Sequence, residues 1–329
     1  IWGRGAVDMK NMDAMILAVI RLWAKHGYQQ DRTLVVIFFG DEEAGGKLGS
    51  QWMVKNHPEV FKGCSESISE VGGYSITLKS RKRIYAIETS QKGIEWMKLT
   101  ARGLAGHGAA TNKENSVTRL AEAVSRIGNH KWPQRITKTN RQFFKRVAEI
   151  SGKPFEEDNL QPLLDEVGVL ARLITPTLSN TANPTMLEAG YKANVIPQTA
   201  SAIVDCRTLP GYEDELLETV KHLAGEHVTV ESMISDIPLE VEFAGLLVEA
   251  MIAAIHSEDP EGIPVPYVVF GGTDNKALAA LDIVGYGFAP LKLPPDLDFG
   301  ALFHGIDERV PIDSLQFGAR TLFHFLVNA

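Results

Sequence analysis

The sequence predicts an α/β protein in which a mixed, mostly parallel sheet is flanked by helices and interrupted by an inserted α+β domain. Helical and strand-like apolar patterns alternate near both ends of the chain, whereas the middle follows a different pattern. Glycine-rich acidic turns separate the outer elements. With 329 residues the chain can bury a large core and form two domains.

The first elements are a helix, a strand and a second helix. Apolar residues recur at helical spacing from Asn11 to Trp23. The continuous apolar run Thr33–Phe39 predicts a strand that is buried on both faces of a parallel sheet. After an acidic turn, Lys47–Asn56 predicts another helix, so this part of the chain shows β/α alternation.

The middle of the chain predicts a small α+β insert with an open sheet. Ile94–Arg102 alternates apolar and polar residues as a half-buried strand does, and Ser116–Ile127 predicts a helix. Ala200–Arg207 predicts a further strand and Glu213–Leu223 a further helix. The stretch 135–180 is charged and irregular, so no element is assigned to it.

The β/α pattern resumes from about Pro238. Phe243–Ile255 predicts a helix, and Tyr267–Phe270 predicts a short strand that ends in a Gly-Gly-Thr turn. The last helix, Ile312–Leu326, follows Pro311, which is a common residue at helix starts.

Composition excludes several classes of function. The net charge is -8 and no dense Lys/Arg cluster occurs, which disfavours nucleic acid as a partner. No apolar run has membrane-spanning length. The two cysteines, Cys64 and Cys206, lack Cys-x-x-Cys spacing and indicate free thiols in a reducing, cytoplasmic compartment. The chain starts at Ile1 inside a motif, so an amino-terminal piece, with any signal peptide, is expected before it.

An acidic cluster follows the predicted strand 33–39. Three consecutive acids, Asp41 to Glu43, repel one another unless a positive charge lies nearby. Side chains alternate along an extended segment, so Glu42 and Glu43 point apart, and one can bind a metal while the other has a different role. The alternative is a solvated turn that caps the next helix.

Three other residues share this pattern of an acid or histidine beside glycine: Asp8, Glu70 and His304. Each has a plain structural alternative, namely a helix N-cap, a turn acid or a hydrogen-bonding histidine. Together, carboxylates and an imidazole suit zinc, manganese or cobalt, and one carboxylate can bridge two ions. Pairs of metal ions generate hydroxide from water, and a nearby carboxylate that is not a metal ligand moves the proton from water to the leaving amine.

Further residues are candidate substrate contacts. The alternative is that they only shape turns or form surface ion pairs. A Gly-His-Gly turn exposes the imidazole of His107, Asn194 is an amide donor, and Arg207 can bind a carboxylate bidentately. The turn before a predicted helix offers free N–H groups to an anion. Its residues are Gly271, Gly272 and Thr273.

The chain resembles the co-catalytic metallopeptidase family M-twenty, which includes aminoacylase-1, carboxypeptidase S, glutamate carboxypeptidase and the acetylornithine and succinyl-diaminopimelate deacylases. The carboxypeptidase S-like and aminoacylase-like branches are the most similar. The matching segments run in family order along almost the whole chain and are GRGAVDMK, FFGDEEAGG, SEVGG, GLAGHGA, KANVIPQTA, DCRTLPG, FGGTDNKAL and FHGIDERVP.

The resemblance implies a role for each metal-site residue. Asp8 bridges two divalent metal ions, and Glu42 is the general base and acid. Glu43 and His304 complete the ligands of one ion, and Glu70 binds the other.

The resemblance also implies a homodimer. The insert, residues 92–236, is the lid and dimerisation domain, and residues 1–91 and 237–329 form the metal-binding catalytic domain. His107 reaches from the insert into the partner subunit's site and polarises the scissile carbonyl. The residues implied to hold the substrate's carboxylate are Asn194, Arg207, Gly271, Gly272 and Thr273.

The sequence departs from the family pattern in three places. The family has a His-x-Asp motif upstream of the bridging aspartate, and its histidine binds the second metal. Because the chain starts almost at Asp8, that motif and the first strands are expected to be missing and the second metal site incomplete. Val71 and Asn275 stand where the family often has glycine and alanine.

These features predict a zinc-type hydrolase, with cobalt and manganese also fitting, that cleaves an amide or peptide bond next to a free carboxylate. Its substrate is an N-acyl amino acid or a short peptide. The alternative is a truncated or non-catalytic relative that dimerises and binds carboxylate ligands without turnover. A third hypothesis is another two-metal hydrolase, such as a phosphoesterase, which the carboxylate contacts of Asn194 and Arg207 disfavour.

Overall fold

The structure is a computed structural model that describes residues 1–329. The chain separates into two compact units. The first unit comprises residues 1–90, 138–175 and 240–329, and the second comprises residues 91–137 and 176–239.

Ten helices and twelve strands build these units. The helices are α1 (Lys10–His26), α2 (Ser50–Asn56), α3 (Ser116–Gly128), α4 (Lys138–Ser151), α5 (Gln161–Val167), α6 (Ala171–Ile174), α7 (Glu213–Ala224), α8 (Leu246–Glu258), α9 (Asn275–Ala279) and α10 (Ile312–Asn328). The strands are β1 (Glu66–Ser69), β2 (Tyr74–Thr77), β3 (Arg83–Gln91), β4 (Gly93–Arg102), β5 (Gly106–His107), β6 (Thr181–Ala189), β7 (Val195–Ile196), β8 (Thr199–Thr208), β9 (Val228–Asp236), β10 (Leu239–Glu240), β11 (Ile263–Val269) and β12 (Val284–Gly287).

The sheet of the first unit is mixed, as predicted. Its strand order is β1-β12-β3-β10, with β2 and β11 also paired to β3. β1 runs parallel to β12, whereas β12 and β2 run antiparallel to β3. The sequence pattern predicts no element at β3, yet this central strand is almost fully buried. Its last four residues are polar, which conceals the strand in the sequence.

Helix α10 packs against both α1 and α8 in the first unit. The helical spacing from Asn11 to Trp23 is confirmed: Met12, Met15 and Val19 are buried on one face of α1. α1 and α10 approach closely at Gly318, where a Cβ atom would lie 2.3 Å from the Met15 sulfur. The crossing therefore depends on glycine.

The predicted strand Thr33–Phe39 is wrong. This segment forms no strand, and Leu34, Val35 and Phe38 are exposed rather than buried on both faces. Ile37 and Phe39 pack on a small apolar cluster, so only one side of the segment is covered. A strand forms only when a neighbouring strand pairs with its N–H and C=O groups, and no strand pairs with this one.

Residues 138–175 form helices, where the sequence analysis finds no regular pattern. Helix α4 buries Phe143, Phe144 and Val147 and packs against β11 of the first unit. This packing places 138–175 in the first compact unit, whereas the sequence-based boundaries include it in the insert.

The second unit has the predicted α+β architecture with an open sheet. Its antiparallel sheet has the order β6-β8-β4-β9, and α3 and α7 pack on it. The apolar core includes Met97, Leu99, Val204, Leu120 and Val220 from both strands and helices. The predicted strands and helices of the insert are confirmed within a few residues.

None of the helices combines the length and the apolar composition that spanning a bilayer requires.

A partly buried ion pair joins β3 to the end of α8. Asp259 accepts hydrogen bonds from Arg83 Nε at 2.5 Å, from Arg83 Nη2 at 2.7 Å and from the Tyr85 hydroxyl at 2.8 Å. Burial raises the pKa of Asp259, but the hydrogen bonds from Arg83 and Tyr85 outweigh burial and hold this pKa below its ordinary value. The ionised carboxylate therefore stabilises the first unit.

We expect Asp259→Asn to lower the free energy of unfolding by about 2 kcal/mol at neutral pH, because the hydrogen bonds from Arg83 and Tyr85 lose their ionised acceptor. The folded-state pKa is below the unfolded-state value, so this stabilisation is present above the unfolded pKa and is lost as pH falls through the folded one. Urea unfolding at neutral pH and below about pH 3 should show the deficit shrinking in acid. Asp158→Asn, at an exposed carboxylate, is the control, and equal losses in both variants would contradict the prediction.

Candidate metal centre

The first residues of the chain are fixed against residues 304–310. Trp2 forms an antiparallel bridge with Arg309, and Arg4 pairs with Glu308 at 2.8 Å. Glu308 is buried and accepts the N–H of Val7 at 3.0 Å. These contacts hold the segment that contains Asp8 beside the segment that contains His304.

Glu308 is a positioning residue that the sequence analysis missed. Burial raises the pKa of Glu308, but the N–H groups of Val7, Gly5 and Asp8 and the Arg4 guanidinium lower it below the ordinary value. The ionised carboxylate therefore fixes the backbone that leads into Asp8. The motif FHGIDERVP contains Glu308, but its burial depends on contacts with residues about 300 positions away and is not visible in the sequence.

Three predicted metal ligands converge in the structure. His304 Nε2 lies 3.1 Å from Asp8 Oδ2 and 3.1 Å from both carboxylate oxygens of Glu43. One ligand atom from each residue lies within 4.8 Å of the others. His304 has a positive φ of 55°, an uncommon conformation for a residue other than glycine. Such conformations persist where surrounding contacts enforce them, and they are frequent at functional sites.

Glu42 lies beside this cluster in a short 3₁₀ turn, Glu42–Ala44. The pKa of Glu42 is raised to about 7, first by burial and then by the carboxylates of Asp274, Glu43 and Asp8, against a lowering by His304. Glu42 is therefore surrounded by negative charge but is not one of the three converging ligands.

Glu70 is buried directly after β1 and contacts Asp8. The pKa of Glu70 is raised to about 10, first by burial and then by the hydrogen bond and charge of Asp8, followed by the charges of Glu42 and Asp274. The structure thus brings Glu70 to the edge of the cluster, where sequence reasoning expects it.

The backbone around Glu70 leaves no room for side chains. A Cβ atom on Gly72 would lie 2.3 Å from the Gly287 carbonyl oxygen, and one on Gly287 would lie 2.1 Å from the Val71 carbonyl oxygen. Val71 has φ 58° in the left-handed region that favours glycine. This accounts physically for the glycine that the family often has at that position.

Asp274 belongs to the acidic cluster, and the sequence analysis did not identify it as such. Burial raises the pKa of Asp274, and a hydrogen bond from Ser50 lowers it. Its charge also raises the pKa values of Glu42 and Glu70. The sequence nevertheless contained an indication of this role. Asp274 closely follows two glycines after a predicted strand, and the other acids of the cluster also lie near glycine.

The donor set fits a divalent cation. Carboxylates from four separate segments, those of Asp8, Glu42 with Glu43, Glu70 and Asp274, meet with one imidazole. The raised pKa values of Glu42, Glu70 and Asp274 show that burial of these carboxylates is poorly compensated by positive charge in the protein itself. Oxygen ligands with a single imidazole suit zinc, manganese or cobalt, and a bound cation compensates the charge.

In the second unit the structure brings together two of the predicted substrate contacts. His107 lies on β5, which pairs with β7, and the N–H of Gly108 donates to the Asn194 carbonyl at 2.9 Å. His107 is exposed, and its Nδ1 accepts the N–H of Ala109 at 3.1 Å. In the neutral ring the proton therefore lies on Nε2, which leaves that atom free to donate.

Arg207 is already paired. Its Nε and Nη2 donate to the Asp205 carboxylate at 2.6 and 3.1 Å. Binding a substrate's carboxylate requires an exchange of this partner, and the carboxylate-binding role stays a prediction.

The turn formed by Gly271, Gly272 and Thr273 precedes α9, as predicted. The Thr273 hydroxyl accepts the N–H of Asn275 at 3.2 Å. The adjacent Asp274 carboxylate adds negative charge, which opposes anion binding at this turn. The substrate-binding role of the turn also stays a prediction.

A mixed α/β fold that brings carboxylates and an imidazole together from separate segments is typical of metallohydrolases. The chain belongs to Peptidase family M20/M25/M40, whose model matches residues 1–328. The family resemblance seen in the motifs is thereby confirmed.

Two curated relatives and one solved structure illustrate this membership. The chain is 28% identical to N-fatty-acyl-amino acid synthase/hydrolase PM20D1 from Mus musculus, over 100% of this chain and 68% of that protein. It is 26% identical to aminoacylase-1 from Sus scrofa, over 94% of this chain and 67% of that protein. An M20 family metallo-carboxypeptidase from Sulfolobus solfataricus matches with a TM-score of 0.67 at 17% identity, over 100% of this chain and 77% of that one, and shows the shared fold.

Proposed function

We propose that this chain is a metal-dependent hydrolase that cleaves an amide or peptide bond next to a free carboxylate. The observation that carries this proposal is the convergence of Asp8, Glu43 and His304 within 4.8 Å, with Glu42 and Glu70 beside them. The names of the relatives support N-acyl amino acids or short peptides as substrates.

Asp8, Glu43 and His304 would hold one divalent cation, most simply zinc, and Asp8 with Glu70 would contribute to a second. A cation bound there supplies a Lewis acid and lowers the pKa of water. Glu42 accepts a proton on its carboxylate and delivers it to the nitrogen of the leaving amine. Its place beside the three ligands, but outside their set, supports this division of roles.

The remaining contacts are proposed from the second unit and from the turn before α9. His107 donates its Nε2–H to the oxygen of the scissile carbonyl, and its hydrogen bond from Ala109 supports the required tautomer. In a homodimer this histidine acts on the site of the partner subunit. The residues proposed to bind the substrate's carboxylate are Asn194, Arg207, Gly271, Gly272 and Thr273.

Three matched substrates test the proposed function. With zinc, cobalt or manganese added, we expect hydrolysis of an N-acetyl amino acid or of the dipeptide with the same carboxyl-terminal residue. Blocking the carboxylate as a primary amide should slow hydrolysis by roughly 10²-fold or more, because its binding groups lose their partner. Equal rates on free and blocked substrates would contradict the proposal, as would hydrolysis of phosphate esters alone. Saturable binding of the N-acyl amino acid without turnover would instead support a non-catalytic carboxylate-binding protein.

Removing the imidazole tests the cation site directly. We expect His304→Ala to weaken zinc binding by about 10²-fold or more, because only carboxylates then remain in the three-residue set. Competition with a chromophoric chelator measures the affinity. Zinc should also raise the melting temperature of the unaltered chain more than that of the variant. His26→Ala, at an exposed histidine in the first unit, is the control, and equal zinc affinity in both variants would contradict the assignment.

A further inference from the structure

We infer that the second unit's sheet selects substrates whose carboxyl-terminal amino acid has an aromatic or large aliphatic side chain. The inference rests on the proposed function, in which Arg207 binds the substrate's carboxylate. It concerns the substrate's side chain next to that carboxylate, for which no contact is proposed above.

One face of this sheet is covered by helices and the other is open. Helices α3 and α7 pack on the face that carries Met97 and Val204. Because side chains alternate along a strand, Trp96 and Arg207 lie on the opposite face. Trp96 is 38% exposed there. The open face therefore presents a large aromatic side chain to solvent beside the proposed carboxylate-binding group.

The strand register assembles an apolar patch next to Arg207. Ile94 lies directly opposite Arg207, and Trp96 lies directly opposite both Asp205 and Ile234 on the two neighbouring strands. Side chains in such positions have Cβ atoms about 5 Å apart. Ile94, Trp96 and Ile234 thus form one apolar patch, which borders the ion pair of Arg207 and Asp205.

Distances along β4 decide which residues a substrate side chain can reach. Trp96 is two residues from Ile94, which corresponds to roughly 7 Å along the strand. The guanidinium of Arg207 leans toward Trp96, because it pairs with Asp205, the residue opposite Trp96. A phenylalanine or leucine side chain spans this separation. Lys98 lies at roughly 14 Å from Ile94 and is too distant to bind that side chain.

The charge beside the patch disfavours ionised side chains. An acidic side chain on Trp96 would lie beside the carboxylate of Asp205, which repels it. A basic side chain would lose water on the apolar patch without gaining a free acid, because Asp205 already accepts from Arg207 at 2.6 Å. An apolar side chain instead gains affinity from the surface that it buries against Trp96 and Ile94.

N-acetyl amino acids with different side chains test this selectivity. With zinc present, we expect kcat/KM for N-acetyl-phenylalanine to exceed that for N-acetyl-alanine by about 30-fold or more, because the larger side chain buries more apolar surface. N-acetyl-glutamate and N-acetyl-lysine should be no better than N-acetyl-alanine. Equal values for phenylalanine and alanine, or a preference for glutamate or lysine, would overturn the inference.

Variants of the open face test the location. Trp96→Ala should reduce the phenylalanine-to-alanine ratio of kcat/KM about tenfold, whereas Trp96→Phe should keep most of it. Lys98→Ala, further along the same face, is the matched control and should leave the ratio unchanged. A general loss of activity lowers both rates and does not change their ratio. Equal ratios in Trp96→Ala and Lys98→Ala would show that the patch does not contact the substrate.

Binding measurements distinguish failure of this inference from failure of the proposed function. Calorimetry is done in the Glu42→Gln background, so that substrates stay intact. Tighter binding of N-acetyl-phenylalanine than of N-acetyl-alanine, lost in Trp96→Ala, would support the patch even if the unaltered chain showed no turnover. Turnover with equal affinities and rates for all side chains would overturn the patch alone. No saturable binding of any of these compounds would overturn both.

Discussion

Replacing Glu42 by glutamine should reduce turnover by about 10³-fold while leaving the bound cation in place, because glutamine cannot carry the proton. Glu42 lies beside Asp8 and Glu43 but outside the set that converges with His304. The glutamine side chain has the same shape as glutamate, so the variant removes proton transfer without opening a cavity.

Two measurements made on the same preparation separate proton transfer from cation binding. Steady-state hydrolysis of the preferred N-acyl amino acid gives the turnover, and zinc competition with a chelator gives the affinity. Glu261→Gln, which changes an exposed acid of the first unit, should keep both values. A parallel loss of zinc and of activity in Glu42→Gln would mean that Glu42 is a ligand.

Sequence periodicity predicts those elements whose buried face follows from the apolar pattern within the element itself. α1 and α10 each carry a regular apolar face, and both are found where the pattern places them. The segment 33–39 has an equally clear apolar pattern but forms no strand, because strand formation depends on a neighbour elsewhere in the chain. β3 is the opposite case, because its last four residues are polar and yet buried, and Thr89 contacts Thr139 of α4, which is distant in the sequence.

The candidate site likewise contains residues that the local sequence pattern reveals and residues that it does not. The acid and glycine pattern picks out Asp8, Glu43 and His304 from local composition, and the structure brings their ligand atoms together. Glu308 acts through a pairing of the first residues with segment 304–310, which no local pattern encodes. Arg207 is a missed signal, because Asp205 lies two positions before it on the same predicted strand, where the two side chains share a face and pair.

His107 is the second residue whose replacement should have a large effect. We expect His107→Ala to lower turnover by roughly 10² to 10³-fold, because the scissile carbonyl loses a hydrogen-bond donor in the transition state. Its side chain is exposed, so the melting temperature should stay close to that of the unaltered chain. His222→Ala, at another exposed histidine of the second unit, is the control. A fall in melting temperature equal to the loss of activity would indicate a structural role instead.

Mixing two inactive variants decides whose site His107 serves. A dimer of one His107→Ala chain and one Glu42→Gln chain contains one site with both residues intact if the histidine acts on the partner subunit. If the histidine acts within its own chain, every site in that dimer lacks one residue. Random exchange makes half of the dimers mixed, each with one intact site of two, so activity should recover to about a quarter of the unaltered level. Mass spectrometry should verify that the chains have exchanged. If no activity is then recovered, His107 serves the site of its own chain.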